Sequence, residues 1–151
     1  MLNTKAINLI ATRQMRDRVF IDTNVFCYLI DRKDIIKTKQ AITFFKSIRD
    51  NDIHVSTQVI KEFCNIAIRK LKLTDLELKN QIQIFEKLTI SDTSCSLIKE
   101  ALHIKFRYQL QFYDSVIIAS AIATNCDILY SEDLNNGQSI EGLKIINPFK
   151  D

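Results

Sequence analysis

The stretch Arg18-Val-Phe-Ile-Asp-Thr-Asn-Val-Phe26 decides the fold. After Arg18, the residues Val19-Phe-Ile21 form a short run of β-branched and aromatic side chains, which predicts a buried strand. The polar residues Asp22, Thr23 and Asn24 follow at once. They predict either a tight Asx turn or a capped helix that begins after Asn24. A buried strand that ends on an acidic residue is therefore the starting point for the rest of the chain.

Strands and helices alternate downstream of this stretch. Apolar residues recur at helical spacing in five segments, 35–48, 57–71, 75–87, 94–110 and 116–123. Short strand-like runs lie at 52–56, 88–90, 126–130 and 143–146, and a polar turn is predicted at 131–137. Such alternation predicts right-handed crossovers and a parallel sheet covered on both faces. The expected fold class is α/β, a three-layer α/β/α sandwich with a short central parallel sheet.

The composition excludes several classes of protein. The chain has 151 residues, of which 46% are hydrophobic and 26% charged, a balance typical of one globular domain. Disordered, fibrous and membrane-spanning proteins are thereby excluded. Only two glycines occur, at positions 137 and 142, so the glycine-rich turn of a dinucleotide-binding fold is absent from the sequence. One proline and two glycines also argue against an all-β fold with many tight turns.

The N-terminal residues 1–17 are predicted to be a basic extension. Residues 1–18 contain four basic side chains and one acidic one. The extension is either an arm for a polyanion or a partner, or a solvated terminus. Its apolar stretch is too short for a signal peptide, and no apolar run could span a membrane. The expected location is cytoplasmic, without membrane attachment.

Four cysteines, at positions 27, 64, 95 and 126, are widely spaced. No Cys-x-x-Cys pair occurs, and only two histidines are present to complete a zinc site. A zinc site and a disulfide framework are therefore not expected. The cysteines are predicted to be small buried thiols in a reducing compartment.

Acidic residues follow two of the predicted strands and lie near the starts of two helices. Asp22 ends the first strand, and Asp133 follows the strand at 126–130. On a helical wheel Glu62 lies at the margin of an apolar face, and Asp114 lies on the apolar face itself. Ligands of parallel sheets bind at the carboxyl ends of the strands. The four acids are therefore predicted to meet at one edge of the sheet.

Each acid has a structural explanation when it is taken alone. Asp22 could form the turn or the helix cap, and Asp114 could be an N-cap. Glu62 could pair with a lysine at a solvated edge, and Asp133 could be a turn acid. Their joint occurrence at strand ends and half-buried helix starts is what favours a common site.

Four converging carboxylates require a cation. Two carboxylates about 5 Å apart repel by about 3 kcal/mol at an effective dielectric constant of about 20. Oxygen ligands without cysteine or histidine suit hard ions such as Mg²⁺ or Mn²⁺. Such ions polarise phosphoryl oxygens and lower the pKa of bound water, as phosphodiester hydrolysis requires. The expected chemistry is metal-assisted phosphate cleavage.

The remaining charge is compatible with an RNA substrate. With these acids set aside, 21 basic residues face 14 acidic ones, although the whole chain carries only +3. Candidate contacts to an RNA backbone are Lys33, Lys61, Arg69, Lys70, Lys72, Lys105 and Arg107, and candidate stacking residues are Tyr108, Phe112 and Tyr113. The alternative is that these lysines are solvated and these aromatic side chains belong to the core.

Four segments stand out when they are taken together: Asp22-Thr-Asn-Val-Phe26, Gln58-Val-Ile-Lys-Glu-Phe63, Phe112-Tyr-Asp-Ser-Val-Ile-Ile-Ala-Ser-Ala121 and Asp127-Ile-Leu-Tyr-Ser-Glu-Asp-Leu134. As an ordered set they resemble the PIN domain, and their arrangement is similar to VapC-type toxins of bacterial toxin–antitoxin pairs. The resemblance covers about residues 19–149. It divides the chain into the extension 1–17 and a PIN-like nuclease domain, 18–151.

The resemblance implies an endoribonuclease that depends on Mg²⁺ or Mn²⁺. The metal and catalytic acids would be Asp22, Glu62, Asp114 and Asp133, and Asn24 would orient the site. Thr23 and Ser131 would be supporting hydroxyls, although a hydrogen-bonded turn is the preferred interpretation for both. The resemblance also implies a homodimer and an antitoxin partner whose tail enters the acidic groove.

Two features depart from the family pattern. The N-terminal extension is longer than usual, and Glu132 stands beside Asp133, so the identity of the fourth acid is open. We favour Asp133, which matches the second acid of the Ser-Glu-Asp-Leu segment. Two other functions remain compatible with the sequence, an RNA-processing PIN nuclease that is not a toxin and a non-catalytic PIN-fold interaction module. A neighbouring gene for a small DNA-binding protein would favour the toxin.

Overall fold

The computed structural model describes residues 16–31 and 33–150, so most of the N-terminal extension lies outside the described residues. The elements in chain order are β1 (Arg18–Ile21), α1 (Thr23–Ile30), α2 (Ile35–Ser47), β2 (Asp52–Ser56), α3 (Thr57–Arg69), α4 (Asp75–Phe85), β3 (Thr89–Ser91), α5 (Cys95–Tyr108), α6 (Phe112–Ala123), β4 (Ile128–Tyr130), β5 (Ser139–Ile140) and β6 (Leu143–Ile146).

The strands form one sheet in the order β3-β2-β1-β4-β6-β5. Strand β1 lies in the middle, with Val19 beside Ile53 of β2 and Ile128 of β4. All neighbouring strands are parallel except β5, which runs antiparallel to β6. The predicted α/β class is confirmed, with a mostly parallel central sheet flanked by helices. Helices connect β1 to β2, β2 to β3 and β3 to β4, since parallel strands cannot be joined by tight turns.

The core surrounds the central strand and the most apolar helix. Val19, Phe20 and Ile21 of β1 are fully buried, and every residue from Ser115 to Ala121 of α6 is buried. The buried Ser120 hydroxyl donates to the carbonyl of Val116 at 2.8 Å, so its polar atom is satisfied inside its own helix. The prediction of a helix buried on most sides is thereby confirmed.

The edge hairpin adds to the predicted parallel sheet one antiparallel strand that the sequence analysis does not include. Strand β5 has two residues and is joined to β6 by Glu141 and Gly142, both with positive φ, 50° and 87°. A two-residue hairpin loop needs this left-handed backbone, and Asn-Gly is its strongest sequence signal. With glutamate in the first position, and with so short a strand, the sequence pattern does not indicate the hairpin.

Two helix starts differ from the sequence predictions. Helix α1 begins at Thr23, directly after β1, with Asp22 as its N-cap, so the helix alternative for this segment is the one observed. Helix α6 begins at Phe112, four residues before the predicted start. Its N-cap is Gln111, so the interpretation of Asp114 as an N-cap is wrong. Asp114 instead lies in the first turn of the helix, where an acid interacts favourably with the helix dipole.

The cysteines are all free thiols, as predicted, but they are not all buried. Cys126 is buried, and Cys27 and Cys64 are partly buried. Cys95 is exposed, because it begins α5 between two serines at the protein surface. Among the helices of residues 16–31 and 33–150, none is both long and apolar enough to cross a membrane.

Candidate active site

The first two acids meet because their strands are neighbours. Asp22 follows β1 and Ser131 follows β4, and these parallel strands pair up to Ile21 and Tyr130. The Ser131 hydroxyl donates to Asp22 Oδ2 at 2.7 Å, and the same Oγ accepts from the Asp133 N–H at 3.3 Å. The carboxyl ends of two adjacent strands thus bring Asp22 and the loop of Asp133 together, as predicted for this edge.

Asn24 links the two acids directly. Its Nδ2 lies 2.9 Å from Asp133 Oδ2 and 3.4 Å from Asp22 Oδ2. Its Oδ1 accepts from the backbone N–H of Glu132 at 3.3 Å. One amide therefore donates towards two carboxylates and accepts from the loop that carries one of them.

Glu62 reaches the same network from α3, which begins directly after β2. Glu62 Oε2 accepts from the Thr23 hydroxyl at 2.9 Å, and Oε1 accepts from Gln58 Nε2 at 2.8 Å. No lysine pairs with Glu62 among the ion pairs of the described chain, so the surface-pair interpretation is wrong. Gln58 is a site residue that sequence reasoning missed. Its position one helical turn before Glu62 was the available signal.

The two hydroxyls predicted to support the site differ in what they contact. The Thr23 hydroxyl joins Glu62, which is 39 residues away, and so it does more than close a local turn. The Ser131 hydroxyl both closes a local turn to Asp133 and bridges to Asp22. The turn interpretation therefore describes part of the contacts of Ser131.

Asp114 is half-buried at the start of α6. The pKa of its carboxyl is raised by burial first, and then by the negative charges of Asp133 and Glu62. Within the described part of the chain its carboxylate accepts no hydrogen bond, in contrast to Asp22, Glu62 and Asp133. Asp114 therefore lies within electrostatic range of Asp133 and Glu62, with free acceptor capacity.

Asp22 is the buried member of the group. Loss of hydration raises the pKa of its carboxyl from 3.8 to about 6. Hydrogen bonds from Ser131 and from the Thr23 N–H lower this pKa, while the charges of Glu62 and Asp133 raise it. A buried carboxylate whose neighbours are also carboxylates is in a position that a cation would stabilise.

The acids as placed do not form a finished coordination shell. In the part of the chain that the structure describes, no three Asp, Glu, His or Cys side chains are arranged so that they could hold one metal ion together. Instead, neutral donors such as Thr23, Asn24 and Ser131 satisfy the carboxylates. The charges of Glu62 and Asp133 act on both Asp22 and Asp114, and a donor set of carboxylate oxygens is of the kind that suits a hard divalent ion.

Glu132 has contacts of its own. Its Oε2 accepts from the Tyr28 hydroxyl at 2.5 Å, and its Oε1 forms an ion pair with Lys37. Asp133, by contrast, contacts the Asn24 amide. Of the two adjacent acids, Asp133 is therefore the one that belongs to the network of Asp22.

A groove of about 600 Å³ adjoins the acids. Its walls include Asn24 and Asp133 from the site, Lys33 and Lys70 from the predicted RNA contacts, and Asp31. Neither lysine forms an ion pair with any described carboxylate. A second groove of about 550 Å³ shares both lysines and adds Lys72 to its walls.

The remaining candidate RNA contacts differ in their surroundings. Lys105 donates to the carbonyl of Leu110, and Arg107 lies 4.0 Å from Glu141. Tyr108 and Phe112 pack partly buried against the core, whereas Tyr113 is 61% exposed. The core interpretation thus holds for two of the three aromatic candidates.

The chain thus combines a mostly parallel α/β sheet with acids at the carboxyl ends of its strands. This combination indicates the class of domain to which it belongs. The PIN domain matches residues 19–136, and the chain therefore belongs to the PIN domain family. No curated protein matches the chain.

Solved structures with the same fold come from several bacteria. One is described as a toxin–antitoxin complex from Klebsiella pneumoniae, with a TM-score of 0.69 at 15% identity over 88% of this chain and 99% of that one. Another is VapC20 of Mycobacterium tuberculosis, a sarcin–ricin loop cleaving toxin, with a TM-score of 0.63 at 15% identity over 74% of this chain and 86% of that one. A third is VapBC2 from Rickettsia felis bound to a promoter DNA fragment, with a TM-score of 0.60 at 18% identity over 85% of this chain and 96% of that one. These likenesses establish the fold.

Proposed function

We propose that this PIN domain is an endoribonuclease that depends on Mg²⁺ or Mn²⁺ and acts as the toxin of a toxin–antitoxin pair. The observation that carries the proposal is the network in which Asn24 and Ser131 connect Asp22 to Asp133 at the carboxyl edge of the sheet. The function of such a network is to hold like charges together, which a purely structural role does not require.

The metal would be held by Asp22, Glu62, Asp114 and Asp133. When bound, a divalent ion supplies polarisation of a phosphoryl oxygen and a bound water of lowered pKa. Asp114 has free acceptor capacity and is therefore suited to accept a hydrogen bond from a water or a substrate group. Asn24 keeps Asp133 and Asp22 in place through its amide protons. The contacts of Asn24 and the free acceptor capacity of Asp114 support these two roles.

The RNA backbone would follow the groove that contains Lys33 and Lys70. Both lysines are exposed and lack a carboxylate partner among the described residues. A phosphate that bound to them would therefore displace water and would not have to break an ion pair. The same groove includes Asp133, which places backbone contacts next to the acids. Phosphate contacts of this kind position a strand without reading its sequence.

The proposed toxin role and the proposed partners are based on the solved structures that share this fold. One structure similar to this chain is described as a toxin–antitoxin complex, and another as a sarcin–ricin loop cleaving toxin. We therefore propose a cognate antitoxin as the protein partner and a homodimer as the assembled form. The cytoplasm, where RNA and antitoxin occur, is the proposed site of action.

Cleavage of RNA by the purified chain tests the proposed activity. Wild type should cleave single-stranded RNA with Mn²⁺ or Mg²⁺ and stop when EDTA is added. Asp22→Asn and Asp114→Asn should each lose cleavage while their circular dichroism spectra stay unchanged. Asp50→Asn is the matched control, because the Asp50 side chain is 84% exposed and precedes β2 at the opposite edge. Cleavage retained by both site variants would reject the assignment.

Growth of cells that express the chain tests the toxin role separately. Expression should stop growth, co-expression of the proposed antitoxin should restore it, and Asp22→Asn should be harmless. Active cleavage in vitro without growth arrest would favour an RNA-processing nuclease. Absence of cleavage, together with stable binding of a protein partner, would favour a non-catalytic interaction module.

A further inference from the structure

Glu132 is an acid of the site loop that the proposed chemistry does not use. It stands between Ser131 and Asp133, and its side chain is only 22% exposed. The Tyr28 hydroxyl donates to one carboxylate oxygen at 2.5 Å, and Lys37 forms an ion pair with the other. Both oxygens are thus engaged by groups from α1 and α2, which are far from Glu132 in the sequence.

Lys37 is in turn held by aromatic rings. Its Nζ lies 4.5 Å from the ring centroid of Phe149 and 5.1 Å from that of Tyr28. The two rings contact each other edge to face at 5.2 Å. A cation over two rings is attracted to both, and with its carboxylate partner it has little freedom to move. We refer to Tyr28, Lys37, Glu132 and Phe149 together as the Glu132 clamp.

The clamp is connected to the acids through the backbone of Glu132. The Glu132 N–H donates to Asn24 Oδ1, and this contact decides which end of the Asn24 amide faces the carboxylates. With Oδ1 engaged, Nδ2 points towards Asp133 and Asp22. If the amide rotated by half a turn, its carbonyl oxygen would face two carboxylates, and both hydrogen bonds would be replaced by repulsion.

We infer that the Glu132 clamp is a positioning device for the metal site, which fixes the Asn24 amide and, through it, Asp133. Glu132 acts through its neighbours and does not itself hold the ion. This inference rests on the proposed function, because the positioned groups are the proposed metal ligands. It assigns roles to Tyr28, Lys37 and Phe149, which lie outside the acidic network.

Mn²⁺ affinity of the purified chain, measured by calorimetry or electron paramagnetic resonance, is the first test. Lys37→Met and Glu132→Gln should weaken Mn²⁺ binding by about tenfold, the usual effect of removing a group that orients a metal ligand. Lys37→Arg should bind Mn²⁺ nearly as tightly as wild type, since a guanidinium keeps both the ion pair and the ring contacts. Lys79→Met removes an exposed ion pair with Asp75 and serves as the matched control.

RNA cleavage in the same variants should separate positioning from general damage. Half-maximal activity of Lys37→Met should require about tenfold more Mn²⁺. The rate at saturating Mn²⁺ should stay near that of wild type. A lowered rate at saturating metal with unchanged metal affinity would overturn the inference, as would Lys37→Arg behaving like Lys37→Met.

A metal-free measurement distinguishes failure of the clamp from failure of the proposed function. The side-chain amide of Asn24 should give a shifted and exchange-protected pair of NMR signals in wild type and in Lys37→Arg. In Lys37→Met and Glu132→Gln these signals should move towards those of a solvated asparagine. If wild type neither binds Mn²⁺ nor cleaves RNA, the proposed function fails. The NMR signals of the Asn24 amide would still show whether the Glu132 clamp positions that amide. Unchanged Asn24 signals in both loosened variants would refute it.

Discussion

The side-chain amide of Asn24 lies 2.9 Å from Asp133 Oδ2, although the two residues are 109 positions apart in the chain. The same amide approaches Asp22 at 3.4 Å. A neutral donor placed between two carboxylates reduces their repulsion without neutralising either one. The two carboxylates are therefore held together by an uncharged group, which leaves their negative charge in place.

Replacing Asp22 with Asn should stabilise the metal-free chain at neutral pH. Burial raises the pKa of Asp22 from 3.8 to about 6, so the folded state holds its proton more tightly than the unfolded state does. This contribution to stability is present at low pH and is lost as the pH rises through about 6. At about pH 7.5 the ionised carboxylate then costs about 1 to 3 kcal/mol, which Asn avoids while it still caps α1.

Urea unfolding of both chains measures this effect. The variant should be the more stable at about pH 7.5, and the two should converge near pH 4, where the carboxyl of wild type is protonated. A variant less stable than wild type at the higher pH would contradict this account of Asp22. A gain of equal size at both pH values would show that packing is the cause.

Removing the Ser131 hydroxyl should move metal binding to higher pH. The hydroxyl donates to Asp22 Oδ2 at 2.7 Å and lowers the pKa of that carboxyl. In Ser131→Ala the pKa should rise further, so protons compete with the metal at higher pH. Mn²⁺ binding measured between about pH 5 and 8 should show a higher midpoint in the variant. An unchanged midpoint would mean that Asp22 takes no part in binding.

Neutralising the groove lysines should weaken RNA binding more than catalysis. Lys33→Gln and Lys70→Gln should each raise KM for RNA with little change in kcat, because both would contact phosphates. The slope of log affinity against log salt concentration should fall by about 0.7 for each lost contact. Lys46→Gln, in the last turn of α2, is the matched control for Lys70 at the end of α3. Equal effects of all three variants would assign binding to overall charge.

Asp52 supports the opposite edge of the sheet. Its carboxylate contacts His54 at 3.0 Å, Thr89 at 3.2 Å and Arg18 at 3.7 Å, and the hydrogen bond with His54 is the main reason that its pKa is lowered. A carboxyl group whose pKa is lowered by folding stabilises the folded state at pH values above its ordinary pKa. This stabilisation is lost as the pH falls and the group becomes protonated. Asp52→Asn should cost about 1 kcal/mol at neutral pH, since the carboxylate is partly exposed.

This cost of Asp52→Asn should shrink as the pH is lowered, and RNA cleavage by the folded variant should stay unchanged. Urea unfolding across the acidic range provides the measurement. A difference in stability that grows towards acid pH would contradict the role assigned to Asp52, and so would a loss of cleavage in folded protein.

Much of the fold follows from local patterns in the sequence. The strands at 52–56 and 143–146 have the predicted bounds, because apolar residues recur within each short segment and polar residues flank it. The convergence of Asp22 and Asp133 follows from one rule, that parallel strands end at a common edge. Strand β5 escapes prediction because two residues and a Glu-Gly turn carry almost no local signal.

The contacts between distant side chains could not be predicted. Thr23 meets Glu62 only because α3 packs beside α1 at one particular register, which no local pattern specifies. The ion pair of Lys37 with Glu132 joins residues 95 positions apart, and the sequence offers many other lysine–glutamate combinations. Local patterns therefore indicate the candidate acids, whereas the distant groups that contact them are visible only in the three-dimensional structure.

The central claim is that the four acids together bind a divalent ion. Thermal unfolding with and without Mn²⁺ tests this claim most directly. A ligand that binds only the folded state raises the melting temperature. Mn²⁺ should raise that of wild type and leave the double variant Asp22→Asn/Asp114→Asn almost unaffected. An equal rise in both chains would place the metal elsewhere and contradict the account.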